Sequence, residues 1–101
     1  MTGAIAGFDW DRGNRAKCLK HGVSTEEIES LFRQPVMILP DAGHSLGEVR
    51  FKAIGKNAVG RHVFLVFTVR ERAAKRYIRP ISARYMHAIE VQHYEKENPQ
   101  L

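Results

Sequence analysis

His62-Val63-Phe64-Leu65-Val66-Phe67-Thr68-Val69-Arg70 places apolar side chains on both sides of a two-residue repeat. Val63, Leu65, Phe67 and Val69 share one face and Phe64 and Val66 the other, the pattern of a strand central to a sheet with both faces covered. Glu71 to Lys75 then turns the chain back into a partner strand, Arg76 to Ala83. Pro80 has no amide hydrogen, so this partner must run at an edge or carry a bulge. A four-residue turn from Arg72 to Lys75 sets Glu71 opposite Arg76, Tyr77 opposite Arg70 and Thr68 opposite Arg79, all in one hairpin.

Outward from this hairpin, Val49 to Ile54 and Val36 to Leu39 read as further strands, separated by the turn-rich stretches Pro40 to Gly47 and Gly55 to Gly60. Upstream, Ser24 and Glu27 form a capping-box pattern ahead of Ile28, Leu31 and Phe32, which predicts a short helix that ends before Pro35. Asp11 caps an earlier helix that runs to about His21 and stops at Gly22. Gly7 to Asp11 alternates Phe8 and Trp10 with acids, as in a short edge strand or an extended lead-in whose aromatics anchor on the core. Arg84 to about Glu97 is rich in helix formers and is closed by Asn98 and Pro99. The expected architecture is α+β: two N-terminal helices, an antiparallel sheet of about four strands, and a C-terminal helix.

The 101 residues suit one domain with one core. No apolar run approaches the roughly 20 residues that span a bilayer, which argues against a membrane role, and the first ten residues do not read as a signal peptide. The one cysteine, Cys18, excludes an internal disulfide and suits a reducing cytoplasm; burial in the first helix is its expected fate. The net charge of +5 is unevenly spread. Residues 50–87 hold ten Lys and Arg against one acid, net +9, whereas the remainder is net −4. That asymmetry is the electrostatic footprint of a nucleic-acid binder, or equally of strand faces solvated by cations.

Five motifs stand in order along the chain: Phe8-Asp9-Trp10-Asp11, Lys20-His21-Gly22-Val23-Ser24, Arg50-Phe51-Lys52-Ala53-Ile54-Gly55, Phe67-Thr68-Val69-Arg70, and Ile78-Arg79-Pro80-Ile81-Ser82-Ala83-Arg84. Together, over roughly residues 8–97, they resemble the BrnT family of type II toxins. The resemblance implies a single toxin domain over residues 1–101 with a fold similar to the RelE group of ribonuclease toxins. It also implies endoribonuclease activity, a cytoplasmic location and neutralisation by a small antitoxin with a ribbon-helix-helix part. DNA is then contacted only through the toxin-antitoxin complex.

Cleaving RNA without a metal or other cofactor needs a proton acceptor for the 2′-hydroxyl, a proton donor for the leaving oxygen, and cations for the phosphorane-like charge. Among RelE-like toxins Lys, Arg and Tyr often fill these roles. Arg70, Arg79 and Arg84 form the leading catalytic set, with His21 as a candidate acid or base. Two guanidinium groups held as diagonal neighbours fit best around a phosphate; the alternative is that each pairs with a carboxylate. Ser82-Ala83-Arg84 is expected to open the last helix, where free backbone amides favour an anion, although Ser82 equally serves as a plain N-cap. Lys17, Lys20, Arg50, Lys52, Tyr77 and Ser82 complete the expected RNA-binding set. His44, in the loop near Glu48 and Arg50, is a weaker candidate, and His87, His93 and Tyr94 lack the spacing of a metal site. Phe8 and Trp10 suit core anchoring better than base stacking. The competing function is a non-catalytic basic module that grips nucleic acid or an acidic protein partner. Direct operator reading is disfavoured, since the second helix opens with Glu26 and Glu27 and would meet DNA poorly.

Overall fold

The computed structural model describes residues 5–41 and 47–98, so His44, Gly43 and Pro99 lie outside the described residues. The elements run β1 (Ile5–Phe8), α1 (Arg12–Leu19), α2 (Thr25–Leu31), β2 (Met37–Pro40), β3 (Phe51–Lys56), β4 (His62–Arg72), β5 (Lys75–Tyr85) and α3 (Ala88–Glu97). The α+β class holds, but the sheet has five strands in the order β1-β5-β4-β3-β2, and it is mixed. Ile5–Phe8 lies parallel to β5, with Gly7 beside Tyr77 and Phe8 beside Ile78. A four-residue strand paired across some 70 positions of sequence has no local turn signal to announce it. No helix among the described residues is long and apolar enough to cross a membrane.

Both N-terminal helices start where the capping residues put them. Asp11 accepts from the Asn14 amide at 3.0 Å and the Asn14 side chain returns the bond at 2.8 Å. Ser24 accepts from the Glu27 amide, and Glu27 closes the second capping box. Gly22, at φ +84°, lets the chain leave α1 in the left-handed conformation that side chains resist. Gly55 does different work: a Cβ there would meet Val36 at 3.3 Å and Leu31 at 3.4 Å, so its absence lets α2 settle against β3.

The helix-facing row of β4, Val63, Leu65 and Phe67, is fully buried beneath Cys18, Ile28 and Leu31. Phe67 stacks on Phe51 at 5.4 Å and meets Phe32 edge-on at 5.6 Å. The other row is less covered than a strand buried on both faces requires: Phe64 and Val66 are half-buried. Phe8 packs against Phe32, and the Trp10 indole donates to Glu29 at 2.9 Å, which leaves both aromatics as anchors. Burial pushes the Cys18 thiol up to about 11, so it is an inert packing group.

The hairpin register is the expected one, with Thr68 opposite Arg79, Arg70 opposite Tyr77 and Glu71 opposite Arg76. The strands continue further, however, to Arg72 opposite Lys75, so the turn is the two-residue link Ala73-Ala74. Pro80 is accommodated where β5 has an open edge beyond β1, and a bulge follows it: Phe67 pairs with Pro80 and Val66 with Ser82, which leaves Ile81 unpaired. Pairing then resumes through Arg84 and Tyr85. The last helix therefore begins at Ala88 rather than at Arg84, because residues 82–85 are held by the β4 ladder. Ser82 is a strand residue and caps nothing.

Ala73 and Ala74 have φ of +52° and +63°, a mirror-image turn that fits the twist of a two-residue hairpin but strains any residue with a Cβ. Replacing the pair with Asn-Gly (Ala73→Asn, Ala74→Gly) is expected to raise stability by roughly 1 to 2 kcal/mol. Urea unfolding reads this directly, and an unchanged or lower midpoint would contradict the strained turn.

Candidate functional site

Strand pairing sorts the candidate residues by face, because side chains opposite one another across a ladder point the same way. Arg70 with Tyr77, Thr68 with Arg79, and Lys52 and Ser82 either side of Val66 form successive rows on the face away from α1 and α2. At the edge of that face, where β1 ends and β5 continues, lies a cleft of about 540 Å³. Arg70, Arg79, Arg50, Lys17 and Arg12 line it, with Asp11 and Glu48 as its carboxylates.

Asn14 explains why α1 closes one wall. Its buried amide donates to the Asp9 carbonyl at 3.0 Å and to the Pro80 carbonyl at 2.8 Å, tying the helix to the β5 edge left open beyond β1. Asp11 is thereby brought against Arg79 at 2.7 Å, and Asp9 lies 3.6 Å from the same guanidinium and 3.1 Å from Arg72. The Asn14 amide, and after it the Arg79 guanidinium, hold the Asp11 carboxyl below its usual range. Arg70 reaches Glu48 at 3.3 Å.

The structure thus brings together Arg70, Arg79, Arg50 and Lys17, and separates the rest. Arg84 is outside the cleft: it makes a two-pronged ion pair with Glu90 of α3 at 2.8 and 2.9 Å and lies over Phe64 at 4.9 Å. Its grouping with the other two arginines assumed that residues 82–84 open a helix, and the continued β5 ladder removes that premise. Lys20 and His21 are exposed beyond the end of α1 and do not line the cleft. Lys52 is one row along, with Asp41 at 3.8 Å. All three leading arginines have carboxylate partners within the chain, the alternative weighed against phosphate binding. Asp11, Arg12, Asn14 and Glu48 are cleft residues to which sequence reasoning gave no part in the site; they lie at the start of α1 and before β3, far from the hairpin in sequence.

The fold and cleft are those of a small basic α+β domain. The chain belongs to the BrnT family, the ribonuclease toxins of type II toxin-antitoxin systems, whose family model matches residues 10–90. No curated protein matches it. Membership indicates an RNA substrate and an antitoxin partner at the level of the family.

The Arg84–Glu90 pair has a consequence of its own. Arg84, and after it the hydrogen bond from the His87 amide, pushes the Glu90 carboxyl down from 4.5 to about 2. A carboxyl lowered by folding contributes stability that is complete above pH 4.5 and is lost as pH falls towards 2. Acid titration of the parent should therefore show α3 loosening across that window, while Glu90→Gln should lack this part of the profile. Superimposable stability curves for the two proteins would count against the pair as the clasp of α3.

Proposed function

We propose that this chain is a metal-independent endoribonuclease toxin that acts in the cytoplasm, has a RelE-like architecture, and is held in check by a ribbon-helix-helix antitoxin. The observation that carries the reading is the position of Arg70 and Arg79, with Arg50 and Lys17, around one solvent-open cleft at the β5 edge. Guanidinium groups this close repel unless anions lie between them. In the free chain Glu48, Asp9 and Asp11 supply that charge, and an RNA phosphate is the natural replacement for the looser of these partners. The Arg70–Glu48 pair is that one: its side chains are 43% and 37% exposed, and such surface pairs are weak and exchangeable. Arg79, at 21% exposure and with two carboxylates, is held as the fixed cation beside it.

Metal independence rests on the donor set. A divalent cation prefers free carboxylates, and here both cleft carboxylates already face guanidinium groups within a surround of five cations. Phosphoryl charge in the transition state is then met by Arg70 and Arg79 in place of a metal. Tyr77, in the row of Arg70, and Lys52 and Ser82, in the row beyond Arg79, contact the flanking strand of RNA. DNA is contacted through the antitoxin, whose removal frees the cleft.

Purified toxin in EDTA is expected to cut RNA, and Arg70→Ala to lower the cleavage rate roughly 100-fold or more, the scale of losing one preorganised donor to a developing oxyanion. Arg70→Ala should leave the thermal melt near the parent's, because its pair is exposed. Salt-dependent binding with RNA left intact after long incubation would instead establish a non-catalytic binding module.

A further inference from the structure

The two arginines account for phosphate charge but not for the proton transfers that cleavage requires. Resting on the ribonuclease reading above, we propose that Glu48 is the general base and Lys17 the general acid of the cleavage step.

Guanidinium groups stay protonated and neither take nor give a proton at neutral pH, which removes Arg12, Arg50, Arg70 and Arg79 from both roles. No histidine is among the described residues that line the cleft. Two carboxylates remain as acceptors. Asp11 is committed to the fold: it caps α1 through the Asn14 amide at 3.0 Å and holds Arg79 at 2.7 Å. Those contacts also lower its proton affinity, which makes it a poor base. Glu48 caps no helix, and its exposed pair with Arg70 at 3.3 Å is the one that a phosphate opens on binding, which leaves the carboxylate beside it. Its backbone is nevertheless fixed. The buried Thr68 hydroxyl donates to the Val49 carbonyl at 2.6 Å, and the Asp41 amide to the Arg50 carbonyl at 2.9 Å, pinning the segment that carries Glu48 alongside β4. Lys17 carries the one ammonium among the described lining residues, and it projects from α1, a different wall.

The step balances without a metal, a water or a redox partner. The 2′-hydroxyl proton passes to the Glu48 carboxylate as the 2′-oxygen forms a bond to phosphorus. The bond from phosphorus to the 5′-oxygen breaks, and that oxygen takes a proton from the Lys17 ammonium. The products are a 2′,3′-cyclic phosphate and a 5′-hydroxyl, after which Glu48 loses its proton and Lys17 regains one from solvent.

The test uses the full chain and an oligonucleotide carrying one ribonucleotide at a linkage the parent protein cuts, in three forms: normal, 2′-deoxy, and with sulfur in place of the bridging 5′-oxygen. Glu48→Gln is expected to lower kcat by roughly 100- to 10,000-fold, the usual contribution of a positioned acid or base. Its affinity for the uncleavable 2′-deoxy form should match the parent's or exceed it. Lys17→Ala should be slow on the normal linkage and regain parental rates on the sulfur form, because a thiolate leaves without a proton. Glu48→Gln should stay slow on both. Full activity of Glu48→Gln, a defect confined to binding, or rescue of that variant by sulfur would overturn the base. Slow cleavage of the sulfur form by Lys17→Ala would overturn the acid. A parent protein that cuts no RNA would sink the ribonuclease reading itself, whereas parent and Glu48→Gln cutting alike would sink this assignment alone.

Discussion

The ladder between β4 and β5, with its single skipped residue at Ile81, is the constraint on which the remaining structure depends. A strand shifted by one residue turns every side chain to the opposite face. From Arg72 opposite Lys75 to Phe67 opposite Pro80 the pairing is continuous, and the skip allows Ser82 to Tyr85 to continue against Val66 to Val63. Ala83, 2% exposed, consequently lies under the helices, and Arg84 points to the other side. The Pro80 carbonyl, like that of Ile78 two residues earlier, faces the β1 side of β5, and beyond the end of β1 Asn14 takes it. That hydrogen bond positions α1, α1 positions Asp11, and Asp11 holds Arg79. The open edge of β5 is thereby coupled to the electrostatics of the cleft.

The uneven charge of the chain acquires a physical meaning in this arrangement. The basic half is folded against acids contributed by the other half, so cations crowd one edge without an uncompensated repulsion. Asp9 and Asp11 come from the run that leaves β1, and Glu48 from the approach to β3. Such internal counter-charges hold the arginines in place before any ligand arrives, so less side-chain entropy remains to be lost on binding. On the proposed reading they also screen the site, since a phosphate must displace a carboxylate. The exposed Glu48 yields more readily than Asp11, which is bound at the helix cap as well.

Much of the fold was legible because its signals are local. The Asp11 N-cap, the Ser24–Glu27 capping box, the two-residue repeat of β4 and the edge-or-bulge requirement of Pro80 each depend on residues within a few positions of one another. Arg70 and Arg79 were placed together for the same reason, since a hairpin register follows from its turn. The parallel pairing of β1 with β5 was not legible, as its partners are some 70 residues apart and no turn links them. Nor was the start of α3: Ser82 to Tyr85 is neutral in composition, and only the tertiary ladder makes it strand. In the cleft, the cations Lys17, Arg50, Arg70 and Arg79 were recognised, but the carboxylates that face them were not. Asp11 read as a helix cap and Glu48 as a loop acid, and proximity alone gives them further roles.

Fold and chemistry make unequal demands on the two arginines. Arg79 is mostly enclosed and shares its charge with Asp9 and Asp11, so it belongs to the assembly that joins α1 to the sheet. Any change there disturbs the wall of the cleft together with its charge, and a loss of activity would not separate the two. Arg70 and Glu48 are more exposed, carry no cap and bridge no elements of the core. Their contribution to stability is accordingly small. Residues that are cheap to the fold but crowded beside fixed cations are those whose geometry has the least structural reason to exist. On the proposed reading, that contrast assigns the reactive half of the cleft to Arg70 and Glu48 and the scaffolding half to Arg79 and Asp11.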